Sequence, residues 1–318
     1  MADHEPETDL IAPDDAGLQR AVELLRAGDL VAFPTETVYG IGADAKNDAA
    51  VARIFDAKGR PAFNPLIIHV HDLSAARQIA DLGKDALRLA EAFWPGPLTL
   101  VVPLKPGSGI APGVSAGLPT IAIRVPEHQL ARELLRRFGG PVAAPSANPS
   151  GKISPTRAEH VLVGLSGRIA AVVDGGPSAI GVESTIIGFD PDARLLRPGG
   201  LPLEIVNACL GHQVRMPETR ALPNAPGQLA SHYAPRAKLR LDATERRAGE
   251  LLLGFGDVEC DLNLSPTGDL AEAAANLFSA LHILDRKASG VIAVSPIPGH
   301  GLGLGINDRL KRAAAPRS

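Results

Sequence analysis

The sequence predicts an α/β protein with two domains, a larger one built on a mixed sheet and a smaller one that is doubly wound. Short apolar strands alternate with amphipathic helices up to residue 200, and some strands adjoin as hairpins, which indicates a mixed sheet. Four prolines interrupt this pattern between residues 210 and 235, and a second alternation follows. A chain of 318 residues is also long for one compact core. We therefore expect domains at 1–209 and 237–318, joined by a linker or lid at 210–236.

The first elements of the larger domain follow from apolar spacing and stop signals. Residues 16–27 repeat apolar side chains at helical spacing and stop at Gly28, so we predict a helix there. Residues 30–33 are short and apolar, which is typical of a strand buried on both faces. Residues 48–58 predict a second helix capped by Asp48, and 66–70 a second strand.

The same reasoning assigns the remaining elements of both domains. In the larger domain, further strands are predicted at 98–103, 120–125, 142–144, 170–173 and 184–189, and helices at 84–93, 127–138 and 157–163. Residues 105–119 are a loop rich in glycine and proline. In the smaller domain, strands at 251–255 and 290–295 alternate with helices at 269–288 and 303–314.

The composition excludes several classes of protein. The 45% hydrophobic and 21% charged residues are ordinary globular values, and the 3% aromatic content argues against stacking platforms for single-stranded nucleic acid. The net charge of -3 argues against general attraction to polyphosphate. Cys209 and Cys260 are isolated, so we expect reduced thiols. We expect no signal peptide and no span of roughly 20 apolar residues, and therefore a cytoplasmic protein.

The turn after the strand at 30–33 concentrates polar groups where regular pairing should stop. Its side chains are those of Thr35, Glu36, Thr37 and Tyr39. Gly40 and Gly42 would allow close backbone approach to a ligand. A binding site and a hairpin corner with satisfied hydroxyls both remain open from this stretch alone.

A tight connection after the second helix gathers two cations and an amide, Lys58, Arg60 and Asn64. Pro61 and Pro65 would hold them still. A lysine charge and an arginine fork suit phosphate or carboxylate, although cations are also favoured at any helix C-terminus.

Three further segments offer polar groups to a ligand. Ser146, Asn148 and Ser154 follow a buried strand and could form a nucleotide cradle or a simple turn. Arg124 ends an apolar strand and needs an anionic partner, either a ligand carboxylate or a structural Asp or Glu. His69 and His71 are two residues apart, so both side chains lie on the same side of the predicted strand. A polar contact by one histidine is favoured over a metal site, because the nearby sequence supplies no third metal ligand.

Two motif matches are rejected. Residues 113–117 fit G-x-S-x-G, but a nucleophile elbow needs a preceding strand and a following helix, and neither is predicted here. Residues 301–305 lack the G-x-G-x-x-G spacing, and no Walker A sequence occurs. Any ATP site in this chain is therefore built without a P-loop.

Several motifs in order resemble those of the Sua5/YrdC/YciO family. They are FPTETVYG at 33–40, KGRP at 58–61, PSAN at 145–148, EST at 183–185 and RPG at 197–199. APGQ at 225–228, HYAP at 232–235 and GLGINDRL at 303–310 resemble the longer Sua5 branch. The resemblance implies a YrdC-like twisted mixed sheet with a concave positive cavity, and a Rossmann-like C-terminal domain.

The activity that the resemblance implies is L-threonylcarbamoyladenylate synthesis from L-threonine, bicarbonate or CO2, and ATP, with release of pyrophosphate. The product supplies the N6-threonylcarbamoyladenosine (t6A) of tRNA through a downstream transferase complex. Mg²⁺ would accompany ATP, held mainly by its phosphates and not by protein side chains. Contact with tRNA or double-stranded RNA is a further implied property.

The resemblance also implies site residues. Lys58 and Arg60 would stabilise the transition state. The ATP-binding residues would be Lys58, Arg60, Asn64, Thr120, Ser146, Asn148, Ser154, Arg197 and Tyr233. The L-threonine-binding residues would be Thr37, His69, Arg124, Ala144 and Ser184.

Two rival functions are considered. A non-catalytic RNA-binding protein is supported by a basic collar of Arg215, Arg220, Arg236, Lys238, Arg240, Arg246 and Arg247, but the net charge and the few aromatic residues oppose it. Hydrogenase-maturation chemistry that uses carbamoyl phosphate shares the first domain. The sequence lacks the zinc-finger and acylphosphatase-like segments expected for it.

Overall fold

The computed structural model describes residues 7–216, 231–288 and 290–316. Within them lie a ten-stranded mixed sheet and a separate four-stranded sheet. This arrangement confirms the predicted fold class. The boundaries at 209 and 237 remain a prediction, and residues 217–230, which include APGQ, Gln228 and Arg220, lie outside the described residues.

The first sheet and its helices occupy residues 9–210. Its strands are β1 (Asp9–Ile11), β2 (Val31–Phe33), β3 (Gly40–Asp44), β4 (Ile67–His69), β5 (Leu98–Pro103), β6 (Thr120–Arg124), β7 (Val142–Ala143), β8 (Ala171–Val173), β9 (Thr185–Phe189) and β10 (Ala193–Arg197). Its helices are α1 (Asp15–Arg26), α2 (Asp48–Lys58), α3 (Leu73–Ile79), α4 (Lys84–Phe93), α5 (Pro112–Ser115), α6 (Gln129–Phe138), α7 (Ala158–Leu165) and α8 (Leu203–Leu210).

The order of strands in the first sheet is β1-β8-β2-β3-β7-β4-β6-β5-β9-β10. Parallel pairs such as β4 with β6 and antiparallel pairs such as β5 with β6 occur side by side. The end of β2 lies at the start of β3, and the ends of β4 and β6 lie side by side next to β7, although these strands are scattered along the chain. The main apolar core lies between this sheet and the helices.

The second sheet is parallel throughout. It contains β11 (Lys238–Arg240), β12 (Glu250–Gly254), β13 (Leu262–Asn263) and β14 (Val291–Val294), in the order β11-β14-β12-β13. Helices α9 (Leu270–Lys287) and α10 (Leu302–Ala314) belong to it. The parallel sheet agrees with the doubly wound prediction for this part of the chain, but only the connection from β13 to β14 runs through a helix, α9, whereas β11–β12 and β12–β13 are joined without one.

Local signals set the ends of α2. The side chain of Asn47, not that of Asp48 as predicted, accepts the capping hydrogen bond from the backbone N–H of Ala50. Gly59 ends the helix with φ of 59°, a left-handed conformation that glycine adopts without strain. The chain therefore turns sharply between Lys58 and Arg60.

Six elements of the first sheet region are additional to those predicted: β1, β3, β10, α3, α5 and α8. The close approach at Gly42 in β3 is to neighbouring side chains of the sheet, which corrects the expectation of an approach to a ligand. A Cβ atom there would lie 2.8 Å from the ring of Phe33 and 2.9 Å from Val142, so Gly42 serves close packing of the sheet. A short helix, α5, also lies inside the predicted loop at 105–119.

The second domain packs directly against the first. Gly181, with φ of 77°, lies so close to α9 that a Cβ atom would be 2.4 Å from the carbonyl oxygen of Ala274. The hydroxyls of Thr156 and Ser279 are 2.9 Å apart across this contact. His282 of α9 hydrogen-bonds the carbonyl oxygen of Ser154 at 3.2 Å. In the described residues, no helix has the length and apolar character needed to cross a membrane.

Candidate active site

A narrow cavity of about 40 Å³ lies beside the end of β2, the start of β3 and the adjoining residues of β4, β6 and β7. Its walls come from the first domain and from the chain between the domains. The lining residues are Thr35, Thr37, Val38, Gly40, Arg60, Ile67, His69, Arg124, Ala144, Pro145, Ser146, Glu183, Ser184, Arg197, His232 and Tyr233.

One wall is a hydrogen-bonded unit around Arg124. The guanidinium of this buried arginine donates to Glu36 at 2.5 Å, to the Thr37 hydroxyl at 2.8 Å and to the Gly96 carbonyl at 3.2 Å. Glu36 is therefore the structural partner of Arg124, and it orients neither Lys58 nor Arg60. Its second oxygen is buried without a partner among the described residues. Arg124 still lines the cavity although its guanidinium is paired with Glu36.

His69 lies beside this wall as a neutral imidazole. Burial, reinforced by the nearby Arg124 charge, lowers the pKa of His69 to about 3. Its Nδ1 atom has no hydrogen-bond partner in the described part of the chain. A neutral imidazole with an unused nitrogen suits polar contact with a ligand better than charge pairing.

The opposite wall joins Ser184 to Arg197. Arg197 donates from Nε and Nη2 to the Ser184 carbonyl at 3.2 and 2.9 Å, and from Nη2 to the Ser184 hydroxyl at 3.2 Å. The hydroxyl of Thr99 lies 2.7 Å from that of Ser184. Burial lowers the pKa of Arg197, which stays a fixed cation at neutral pH.

Lys58 holds the loop that follows β7. Its ammonium group donates to the carbonyls of Ser146, at 2.5 Å, and Asn148. Burial first, and the Arg60 charge second, lower the pKa of Lys58 well below its usual value. Lys58 lies beside the cavity and acts here on Ser146, which does line it.

Arg60 projects into the cavity from the turn after α2. It donates to the carbonyls of Asn64 at 3.1 Å and Pro65 at 2.7 Å, and burial lowers its pKa to about 10. The amide of Asn64 is fully buried, and neither its nitrogen nor its oxygen has a partner within the described ranges. Such an orphaned amide next to a buried cation fits a polar ligand.

A chain of hydrogen bonds connects the cavity to the second domain. The Ser154 hydroxyl donates to Glu183, and Arg309 of α10 donates to the other oxygen of Glu183 at 2.8 Å. Arg309 is fully buried and also donates to the Pro198 carbonyl at 2.5 Å. Burial raises the pKa of Glu183, but Arg309, Arg197 and the Ser154 hydrogen bond outweigh it, so the pKa lies below its ordinary value.

His232 and Tyr233 close the cavity from the chain between the domains. Tyr233 is buried with φ of 61°, and its ring packs near Phe278 of α9 and 5.4 Å from the Arg309 guanidinium. Burial raises the pKa of Tyr233 and lowers that of His232 to about 3. Because these two side chains lie in the cavity, the remaining volume admits a few water molecules and not a nucleotide.

The structure brings most of the predicted residues together. Nine of them line the cavity: Thr37, Arg60, His69, Arg124, Ala144, Ser146, Ser184, Arg197 and Tyr233. Four pack behind its walls: Lys58, Asn64, Asn148 and Ser154. Thr120 is not brought to it. It lies at the other end of β6 from Arg124 and lines a separate pocket with Leu118 and Arg194, so its placement does not support the predicted ATP contact.

Residue-by-residue prediction missed the roles of Thr35, Glu183, His232 and Arg309. Thr35 and Glu183 lie inside recognised motifs, FPTETVYG and EST, and adjacency to Thr37 and Ser184 was a usable signal. His232 precedes Tyr233 in HYAP. Arg309 lies in GLGINDRL, but its partner is 126 residues away, and no local pattern announces such a pair.

The described residues contain no group of three or more His, Cys, Asp or Glu side chains that could hold a metal ion. Glu183 uses both of its carboxylate oxygens, to accept hydrogen bonds from Ser154 and Arg309.

Most of the described arginines of the basic collar are paired with acidic side chains. Ion pairs join Arg215 to Asp192, Arg236 to Asp285, Arg240 to Glu250 and Arg246 to Asp261.

Comparison with known proteins assigns this chain to a family. The family named Sua5_yciO_yrdC, described as "Telomere recombination", matches residues 23–199. The chain belongs to the Sua5/YrdC/YciO family. A second family, described as "Threonylcarbamoyl-AMP synthase, C-terminal domain", matches residues 202–315, so the chain is of the longer Sua5 type. Both findings confirm the resemblance seen in the motifs.

Relatives of this Sua5-type chain carry one enzymatic name. The threonylcarbamoyl-AMP synthase of Bacillus subtilis (strain 168) is 42% identical, over 98% of this chain and 96% of its own. That of Pyrococcus abyssi is also 42% identical, over 93% and 94%. The crystal structure of P. abyssi Sua5 complexed with L-threonine superimposes with a TM-score of 0.90 at 38% identity, covering 96% of this chain and 98% of that one. Escherichia coli YciO, with a TM-score of 0.54 at 23% identity, shares the fold of the first domain.

Proposed function

We propose that this chain is an L-threonylcarbamoyladenylate synthase, which makes threonylcarbamoyl-AMP and pyrophosphate from L-threonine, bicarbonate or CO2, and ATP. One observation carries the proposal. In a chain that matches threonylcarbamoyl-AMP synthases over nearly its whole length, one cavity places Arg124 and Thr37 on one wall and Arg60 and Arg197 on others.

The reaction needs two bond-forming steps. The neutral amine of threonine reacts with bicarbonate to give a carbamate and water. A carbamate oxygen then attacks the α-phosphorus of ATP, and the bond to the β-phosphate oxygen breaks to release pyrophosphate. Negative charge spreads over the phosphate oxygens in the second step, so fixed cations stabilise its transition state and no protein nucleophile is needed.

The threonine side of the cavity would be built on Arg124. We assign the carboxylate of threonine to the Arg124 guanidinium, because this is the cation that lines the wall with Thr37. His69, neutral at pH 7, and Ser184 would give polar contacts, and the main chain at Ala144 completes the wall.

The ATP side would use Arg60, Arg197 and Ser146 directly. Lys58, Asn64, Asn148 and Ser154 support these groups from behind and would reach the nucleotide only after a rearrangement. Mg²⁺ fits this site only as a partner of the phosphates, since the donors here are hydroxyls and committed carboxylates. It would supply further neutralisation of phosphate charge.

ATP entry would require the His232–Tyr233 segment to leave the cavity. Tyr233 has a buried hydroxyl without a partner among the described residues, which a nucleotide could satisfy when the segment closes over it. We propose that this segment acts as the lid predicted from the linker.

The test is pyrophosphate release by the purified chain with ATP, Mg²⁺, bicarbonate and each amino acid in turn. We expect release with L-threonine, and a loss of about a hundredfold or more in Arg124→Leu, since truncating one partner of a buried charge pair costs several kcal/mol. Arg53→Leu, at an exposed ion pair, should leave the rate unchanged. No threonine-dependent release by the parent chain would refute the proposed function.

The product would serve t6A formation in tRNA through a separate transferase complex, and we propose that both steps take place in the cytoplasm. RNA binding as the main activity is less well supported. The paired charges of the basic collar reduce its attraction for phosphate.

A further inference from the structure

Thr35 lies on the cavity wall next to Thr37, and it is not among the residues that the proposed reaction uses. Its side chain is buried, with 2% of the residue exposed. Its hydroxyl is 2.6 Å from the carbonyl oxygen of Val38 and 2.8 Å from the hydroxyl of Thr37. The backbone N–H groups of Thr37 and Val38 both approach the same oxygen at 3.2 Å.

The donor and acceptor in each of these hydrogen bonds follow from the number of protons and lone pairs that each group has. A hydroxyl has one proton to donate and two lone pairs to accept with. The Val38 carbonyl has no proton, so the Thr35 hydroxyl must be the donor there. With its proton committed, Thr35 can only accept in its contact with Thr37 at 2.8 Å, and the two longer N–H contacts at 3.2 Å share its other lone pair.

The same reasoning fixes the hydrogen bonds of the Thr37 hydroxyl. Its hydroxyl proton points to Thr35, and Arg124 donates to one of its lone pairs at 2.8 Å. An arginine never accepts, so this second direction is also settled. One lone pair remains on the Thr37 oxygen, and Thr37 lines the cavity. Thr37 therefore meets a ligand as a hydrogen-bond acceptor and not as a donor.

We propose that Thr35 is a positioning residue that fixes Thr37 as the acceptor for the amine N–H of L-threonine. The inference rests on the proposed function. The carboxylate and hydroxyl oxygens of threonine can accept hydrogen bonds, but the amine is the group that can always donate one. Arg124, adjacent to the same oxygen, holds the carboxylate, so amine and carboxylate are read by neighbouring atoms of one wall.

The assignment has a chemical advantage. The neutral amine carries two N–H bonds, and one of them survives when bicarbonate converts the amine to a carbamate. A hydrogen bond from that N–H to Thr37 can persist through carbamate formation. It holds the nitrogen at one side of the site, with its lone pair directed to the carbon of bicarbonate or CO2.

The test compares two ligands that differ only in the amine, L-threonine and (R)-3-hydroxybutanoate. Thr35→Val removes the committed acceptor, so the Thr37 proton can turn into the cavity. The dissociation constant of threonine should then rise about tenfold or more relative to that of the deamino analogue, the usual effect of losing a hydrogen bond to a charged or strongly polar group. The affinity for ATP should stay unchanged.

Matched variants separate positioning from general damage. Thr35→Ser keeps the hydroxyl and should restore the discrimination between the two ligands. Thr185→Val removes another buried hydroxyl, one that donates to the Leu201 carbonyl outside the cavity, and should lower stability without changing discrimination. Thr35→Cys, which lacks the γ-methyl group and whose thiol is a weak donor and acceptor, replaces Thr35→Val if that variant does not fold.

Different results would overturn the role of Thr35 and the proposed function. An unchanged ligand ratio in Thr35→Val, or in Thr35→Cys where that is used, overturns the role of Thr35 while the parent chain still binds threonine. A parent chain that does not bind threonine, and releases no pyrophosphate with it, overturns the proposed function itself.

Discussion

Replacing Arg309 with Met tests the contact between the second domain and the cavity. The change removes the guanidinium that donates to Glu183 at 2.8 Å, and it leaves the buried Glu183 carboxylate with the Ser154 hydrogen bond and the weaker influence of the Arg197 charge. Breaking a buried ion pair in this way costs about 3–5 kcal/mol, which corresponds to a fall in Tm of roughly 5–10 °C for a chain of this size.

The penalty should depend on pH in a defined direction. In the parent protein the pKa of Glu183 lies below its ordinary value, so its stabilisation is present above the unfolded pKa and is lost only as pH falls through the folded one. In Arg309→Met, burial without Arg309 should place the folded pKa above the unfolded one. Lowering the pH then neutralises the stranded carboxyl, and the penalty shrinks by about 1.4 kcal/mol for each pH unit between the two pKa values.

The assay is thermal unfolding of both proteins at pH 7.5 and pH 5. The Tm difference between them should narrow at the lower pH, because the carboxyl of the variant becomes protonated. Arg53→Met, at an ion pair with both side chains about half exposed, should change Tm little at either pH. A Tm difference that is the same at both pH values would show that Glu183 is not stranded as a charge, and the reasoning would fail.

Three further outcomes are expected. Tyr233→Phe should raise the unfolding free energy by about 1 kcal/mol, because the hydroxyl has no partner among the described residues, and should raise the KM for ATP. The unfolding free energy measured in urea should fall between pH 7 and pH 5.5, since unfolded His69 binds a proton below about 6.5 and the folded form, with a pKa of about 3, does not; His69→Asn should reduce that slope. Gly181→Ala should lower Tm far more than Gly211→Ala: both have a left-handed φ, but only Gly181 faces the backbone of α9.

The spacing of apolar residues was sufficient to predict the long helices, but it did not predict elements that are short or that contain residues of low propensity for their secondary structure. Helices such as α2 and α9 carry repeated apolar side chains and clear ends. β3 contains two glycines and an aspartate, residues of low strand propensity, and only its pairing with β2 and β7 makes it a strand. α3 is seven residues long, too short for a helical period to be decisive.

The polar site was predictable as a set of residues, but its pairings were not. Arg124 had to have an anionic partner, and the structure shows that the partner is Glu36, 88 residues away. The requirement that a buried arginine has an anionic partner does not select one carboxylate of the chain over another. The direction of the hydrogen bonds at Thr35 depends on a carbonyl brought into place by the turn, which sequence alone does not position.

The contact between Glu183 and Arg309 also orders events during synthesis. Arg309 is the 126th residue that the ribosome adds after Glu183, so the nascent first domain holds a carboxylate whose Arg309 partner has not yet been made. Its cavity wall is completed only when α10 emerges and docks. Translation of the second domain is thus part of the maturation of the first, since a fragment released before α10 would carry a buried Glu183 without its Arg309 partner.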